Sequence, residues 1–245
     1  MNDTIDLLLS HRSIRKFTDE PVEQSLVDTL VRCGQAAATS SNVQAVTAIQ
    51  VHDTAKREKL SELAGGQPYV ASAGAFLVYC ADLNRPRIAC EKQAGTFSAG
   101  MTEHFIIATV DVALAAQNTV VAAESLGLGI CYIGGLRNNP AEVSELLGLP
   151  DHVYPVFGLC LGHPAQDPQV KPRMPLNGVL MHDSYDMSQF DTAMPEYDDT
   201  VREYYKTRTG GKKDSTWSQE MKSLVGKESR PHMKGFLNNK KLMLK

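Results

Sequence analysis

The sequence predicts an α+β fold, and three observations carry that reading. Two long stretches, Val22 to Cys33 and Glu103 to Leu126, repeat apolar residues at helical spacing. Short apolar runs such as Val46 to Val51 and Val156 to Leu161 have the length and bounding turns of strands. Paired glycines, Gly65-Gly66 and Gly134-Gly135, break the chain between such segments.

In chain order, Ile5, Leu8 and Leu9 form a short helix behind the capping candidates Asp3 and Thr4, and the motif HRSIR (His11 to Arg15) sits near its end. Pro21 opens a second amphipathic helix through Leu26, Leu30 and Cys33, which frays at the hydroxyl loop Thr39-Ser40-Ser41-Asn42. Strands at Val46 to Val51 and Ala75 to Tyr79 flank a charged helix from Lys56 to Leu63. From Glu103 to Leu126 apolar residues (Phe105, Ile107, Val110, Leu114, Val121) wrap nearly all round the helix, the pattern of a core helix buried on most sides. Gly127 and Gly129 serve as left-handed caps before a strand at Ile130 to Ile133. Asn139 caps a helix with Pro140 in its first turn and Gly148 at its end. After the strand Val156 to Leu161 the texture turns Pro-, Asp- and Lys-rich, then polar. The expected division is a core of residues 1–183 and a basic extension of residues 184–245.

At 245 residues and 42 % hydrophobic content, the chain can bury an ordinary globular core. The stretch from Glu103 to Leu128 carries His104, Asp111, Gln117, Asn118 and Glu124, which are costly in lipid, so no membrane span is expected. The first residues lack a basic leader and a signal-peptide core, which suggests a cytoplasmic protein. The five cysteines are odd in number and lack zinc-knuckle spacing, so they read as reduced thiols. A formal net charge of −3 hides an asymmetry: Arg202 to Lys245 holds twelve Lys or Arg against four carboxylates.

Several enzyme signatures are excluded. Gly95 to Gly100 is one residue too long for a nucleophile elbow, and Gly127-Leu128-Gly129 lacks the third glycine of a dinucleotide fingerprint. The seven histidines show no His-Glu-x-x-His or other metal spacing, so no metal is expected. What remains is a set of anion-binding pieces: His11-Arg12-Ser13-Ile14-Arg15, the hydroxyls of Thr39 to Ser41, and Lys171-Pro172-Arg173. Guanidinium forks and hydroxyl donors together suit a phosphate monoester. On charge alone, HRSIRKF equally suits a basic helix end offsetting the negative helix terminus.

HRSIRKFTDEPV resembles the opening motif of the nitroreductase superfamily. AAESLGLGICYIGGLRNNP, FGLCLGHPAQDPQVKPRMP, EYYKTRT and KESRPH resemble one subgroup, the oxygen-insensitive NADPH nitroreductases and NADPH-flavin oxidoreductases. The resemblance spans essentially the whole chain. It implies a central mixed sheet surrounded by helices, an extended carboxyl-terminal excursion and an intertwined homodimer with FMN in the interface. On matched positions it assigns His11, Arg12, Ser13, Lys171 and Arg173 to the FMN phosphate and its ribityl neighbourhood, and Arg15 to the pyrimidine edge. A cation suits that edge, because reduced FMN is an anion charged at N1 and O2. Thr39, Ser40, Ser41, Gln67 and Tyr69 match flavin-site loops, and Tyr132-Ile133-Gly134-Gly135-Leu136 the segment beside the ring. Arg208, with Lys212 and Lys213, matches the region that reads the 2′-phosphate of NADPH.

The implied reaction passes two electrons from NADPH through FMN to nitroaromatics, quinones or free flavin in two half-reactions at one site, with no side chain assigned as acid or base. Three other readings compete: a non-catalytic flavin carrier, another superfamily activity such as dehalogenation, and a nucleic-acid module built on the basic extension. The last is disfavoured because Tyr204, Tyr205 and Trp217, which lie among the basic residues, belong to the family pattern.

Overall fold

The computed structural model describes residues 2–245 and divides into two compact units: residues 2–168 with 232–245, and residues 169–231. The composition-based boundary lies further along the chain, and residues 232–245, expected as extension, pack with the first unit.

The first unit runs α1 (Asp3–Leu9), α2 (Gln24–Gln35), β1 (Val46–Gln50), α3 (Thr54–Leu63), α4 (Tyr69–Ser72), β2 (Ala75–Asp82), α5 (Asn84–Lys92), α6 (Thr102–Ser125), β3 (Gly129–Ile133), α7 (Pro140–Leu146) and β4 (Val153–Gly162). Its four strands pair in the order β1-β2-β4-β3, antiparallel throughout. A parallel element comes from the isolated bridge between Ser13 and Ile130 at the β3 edge.

β2 reads as a continuous apolar run because both of its faces are covered. Leu77, Tyr79 and Ala81 face α2 and α6, whereas Phe76, Val78 and Cys80 face a second core with Leu60, Val70 and Val143 from α3, α4 and α7. The sheet is thus the middle of three layers. Its β1 edge is closed by Arg85, whose Nη1 donates to Gln44 O at 3.0 Å and Val46 O at 3.3 Å.

α6 is long and apolar enough to cross a membrane, yet it packs on α2 and on all four strands as a core helix. It is not buried on most sides, as the sequence suggested: Ile106, Val110 and Leu114 are 48 %, 50 % and 43 % exposed. Spaced four residues apart, they form an open apolar stripe along one face. Hydrophobic periodicity cannot tell a chain's own core from a surface that a second chain covers.

Local details differ in instructive ways. Asn2, rather than Asp3 or Thr4, caps α1 by accepting from Ile5 N at 3.1 Å. Gly127 takes the left-handed conformation at φ 78°, but Gly129 has no such conformation and begins β3. Asn139 does not cap α7 with its side chain; its Nδ2 donates to Leu63 O at 2.8 Å instead. The polar tail is helical.

The second unit holds α8 (Phe190–Thr209), which ends on the left-handed Gly210, and α9 (Trp217–Val225), which opens with a capping box between Thr216 and Gln219. Tyr197, Val201 and Tyr205 form its small core with Met174, Tyr204 and Trp217. Back in the first unit, α10 (Met233–Asn239) leads into a closing segment in which Leu242 is fully buried. His152 N donates to Lys240 O at 2.8 Å, Leu244 N to Gly100 O at 2.8 Å, and Thr102 N to Lys245 O at 3.0 Å.

Candidate active site

The HRSIR motif lies beyond α1, not on it. Ile14 N donates to Ile130 O at 2.8 Å, which holds the motif along the β3 edge. Gly129 makes that contact possible: a Cβ there would come within 2.7 Å of Ile14 Cγ1. With Ile14 buried, alternation turns its neighbours Ser13 and Arg15 away from the core. His11 Nδ1 lies 2.7 Å from Glu124 Oε1 at the end of α6, and Arg12 Nη2 lies 2.5 Å from Asp167 Oδ1. Asp167 is 83 % exposed, so this ion pair is weakly held and can yield Arg12 to a phosphate. A cavity of about 430 Å³ beside Arg12 is lined by both carboxylates, Glu124 and Asp167. Neither stood out in the sequence.

Arg15 reaches a second group of assigned residues. Its positive charge lies near the Tyr69 phenol, whose pKa burial raises despite that cation. Burial also pushes up the Cys131 thiol on β3, and the nearby Arg15 charge pulls it down. Tyr69 donates to Gln67 Oε1 at 2.6 Å, and Gln67 Nε2 donates to Ala64 O at 2.7 Å. The short α4 that carries Tyr69 is fastened from below. Arg57 donates to Val70 O at 3.1 Å and to Ala73 O, and the Cys160 thiol donates to Tyr69 O at 3.4 Å.

The segment from Tyr132 to Leu136 closes this group. The Ile133 and Leu136 side chains are wholly buried in the core, and Tyr132 turns toward α6, donating to Gln117 Oε1 at 3.2 Å. Only backbone and the two glycines are left to meet a ligand. A Cβ on Gly135 would lie 2.3 Å from Ala64 O and 2.4 Å from Gln67 Nε2. Gly135→Ala is therefore expected to push Gln67 and its loop aside, costing about 1–3 kcal/mol of stability. Thermal melting and a flavin titration check it; an unchanged Tm and unchanged flavin affinity would show that the segment shifts freely.

Thr39, Ser40 and Ser41 are organised elsewhere. Asp111, 1 % exposed on α6, accepts from Ser40 N at 3.2 Å and Ala45 N at 3.0 Å. Thr39 Oγ1 accepts from Gln44 N at 3.3 Å, while Ser41, Asn42 and Gln44 sit at φ 48°, 56° and 53°. Asp111 and Glu124 are thirteen positions apart on α6, so the hydroxyl loop and HRSIR are anchored about 20 Å apart along its axis. One chain does not bring them together.

The remaining cations lie in the second unit. Lys171 Nζ stands 5.8 Å, and Lys213 Nζ 3.9 Å, from the centre of the Tyr205 ring. Lys213 also pairs with Glu220 at 3.0 Å, which raises its pKa above the ordinary lysine value. Arg173 Nη1 donates to Lys171 O at 2.8 Å. Arg208 lies over the Tyr204 ring and donates to its hydroxyl at 3.3 Å, and Lys212 is exposed.

Comparison with known proteins matches residues 8–163 to the nitroreductase family and residues 171–245 to the nitroreductase family C-terminal domain. The FMN reductase (NADPH) of Bacillus subtilis is 46 % identical over 244 residues, covering 98 % of each chain. The oxygen-insensitive NADPH nitroreductase of Salmonella typhimurium is 42 % identical over 238 residues, covering 97 % of each. The crystal structure of the NADPH:FMN oxidoreductase from Vibrio harveyi, complexed with NAD+, superposes with a TM-score of 0.91 at 43 % identity over 100 % of both chains.

Proposed function

Because the chain belongs to the nitroreductase family, we propose that it is an FMN-dependent oxidoreductase that carries two electrons from NADPH to nitroaromatics, quinones or free flavin. The observation that carries this reading is the cluster of Arg15, Gln67, Tyr69 and Gly135. It joins a guanidinium, an amide and a phenol on a floor kept free of side-chain bulk by glycine.

Those residues fit FMN. The flavin supplies a reversible hydride acceptor at N5. Arg12, with His11 and Ser13 beside it, offers charge and hydrogen-bond donors to the phosphate; Lys171 and Arg173, assigned to the same phosphate by the family resemblance, complete the charge. Arg15 stabilises negative charge on the pyrimidine edge, and Tyr69, fixed by its bond to Gln67, offers a phenol beside it. The backbone from Tyr132 to Leu136 borders the ring, where Gly134 and Gly135 allow close approach. Arg208, Lys212 and Lys213 read the coenzyme phosphate. Burial raises the Tyr69 pKa above its ordinary value, so its phenol is a neutral hydrogen-bond donor.

The site takes its hydroxyls from a second copy. Thr39, Ser40 and Ser41 lie too far along α6 from HRSIR to serve the same flavin, and the open stripe of Ile106, Val110 and Leu114 is the surface on which two copies meet. The enzyme works in the cytoplasm, in keeping with five free thiols.

The purified protein is expected to be yellow and to oxidise NADPH much faster when a quinone is added. A colourless protein that FMN cannot reconstitute overturns the proposal, and bound flavin without NADPH turnover favours the carrier reading. Sedimentation should show a dimer and no folded monomer. A monomer that keeps one FMN per chain would remove the second copy from the site.

A further inference from the structure

We propose that Glu124 is a positioning residue for the FMN phosphate, acting through His11: its carboxylate fixes the imidazole and keeps it doubly protonated, so that the ring meets the phosphate as a cation. The inference rests on His11 belonging to the phosphate site, and deepens that reading by naming the group that sets its charge.

Chain topology brings the two side chains together. Only Leu126, Gly127 and Leu128 separate α6 from β3, and the HRSIR backbone is fastened to β3 by the bond from Ile14 N to Ile130 O at 2.8 Å. The last turn of α6 therefore lies beside the start of the motif, where His11 Nδ1 comes within 2.7 Å of Glu124 Oε1. An ionised carboxylate only accepts hydrogen bonds, so Nδ1 carries a proton and Nε2 is the nitrogen left for a ligand. The His11 side chain keeps 26 % of its surface exposed, the Glu124 side chain only 13 %.

Glu124 stands where a carboxylate is costly. It is largely buried, and it occupies the last turn of α6, where the helix dipole presents its negative end and no basic residue of that turn answers it. A neutral imidazole leaves this charge uncompensated, whereas an imidazolium pairs with it. The neighbouring groups do not compete for it. Arg12 lies 2.5 Å from Asp167, and the Tyr132 phenol, its pKa pushed up by burial, by the Tyr79 phenol and by the Glu124 charge, stays neutral. The two ion pairs of the motif thus differ in kind: the exposed Asp167 can turn into water and release Arg12, while Glu124 remains with His11. An imidazolium held on one side by Glu124 has its second N–H to give to a phosphate, and both bonds are charge-assisted.

The test measures the dissociation constants of FMN and of riboflavin, which lacks the phosphate, for the full chain from neutral to alkaline pH. Glu124→Gln keeps an acceptor for Nδ1 and removes the charge. It should weaken FMN about tenfold and riboflavin hardly at all. FMN affinity falls as rising pH strips the second proton from the ring, and without the carboxylate that fall should begin about one pH unit lower. His11→Gln should lose the same preference for FMN and flatten its pH dependence, which also covers the case in which Glu124→Gln does not fold. Adding Glu124→Gln to His11→Gln should then cost nothing further, because the carboxylate acts only through the ring. Equal losses for FMN and riboflavin, an unmoved pH midpoint, or losses that add in the double variant overturn the positioning role while leaving FMN as the cofactor. A parent chain that binds riboflavin as tightly as FMN removes the phosphate site itself, and one that binds neither removes the flavin reading; either result overturns the proposal as well.

Discussion

Replacing Asp111 by alanine should destabilise the protein by about 2–5 kcal/mol, because two buried amide donors, Ser40 N and Ala45 N, lose their acceptor. In the loop they belong to, Ser41, Asn42 and Gln44 all occupy left-handed backbone conformations unfavourable for side-chain-bearing residues. Stability should fall first in this loop. If its hydroxyls serve the flavin of a second copy, FMN content should fall with it, and more steeply than the stability change alone requires. Asp111→Asn should lie between, since one acceptor oxygen remains while the new amino group faces the other donor. Urea unfolding with parallel measurement of bound flavin reads both effects. A stability loss under about 0.5 kcal/mol would mean that water replaces the carboxylate, and that the loop is not organised by it.

The second large effect is on coenzyme choice. Arg208→Ala should lower kcat/KM for NADPH by about 10- to 100-fold, the loss of one charge-assisted contact of roughly 1.5–3 kcal/mol. Turnover with NADH should hardly change. Arg208 is exposed on the last turn of α8 and, among the described residues, donates to Tyr204 alone, so the substitution removes no buried partner and the fold should survive. Steady-state kinetics with both coenzymes decide the matter: equal losses would give Arg208 a role in folding or in general nicotinamide binding.

Much of the architecture was legible in the residues because local and tertiary preferences agree. β1 to β4, α2 and α6 lie where apolar spacing puts them, and α3 and α7 where charge, capping and turn residues do, within the few residues by which element ends usually differ. The helices of the second unit were not legible, because the few apolar residues of α8 are diluted among charges and answer to a small local core. Asp111 was passed over for a different reason. It was weighed as a charge unfavourable to a membrane, whereas a carboxylate on the buried face of a core helix must have partners, and that rule alone would have marked it as an organiser. Glu124 and Asp167 are near HRSIR only through folding, and nothing in their sequence neighbourhood announces it. The flavin assignments rest on family motifs; spacing alone leaves those residues as scattered cations and hydroxyls. The structure then gathers Arg15, Gln67, Tyr69 and Gly135, and sets the Thr39 to Ser41 loop apart.

Arg85, closing the outer edge of β1, bears on how the protein survives at high concentration. An uncovered strand edge offers carbonyls and amides to any passing chain and so templates aggregation. Here a single guanidinium occupies the Val46 carbonyl and that of Gln44 just before the strand, and places a hydrated charge where a foreign strand would have to lie. Solubility at this edge thus leans on one side chain, which also steadies Gln44 in the loop of Thr39 to Ser41. Variants at this position should precipitate at concentrations where the parent protein stays in solution.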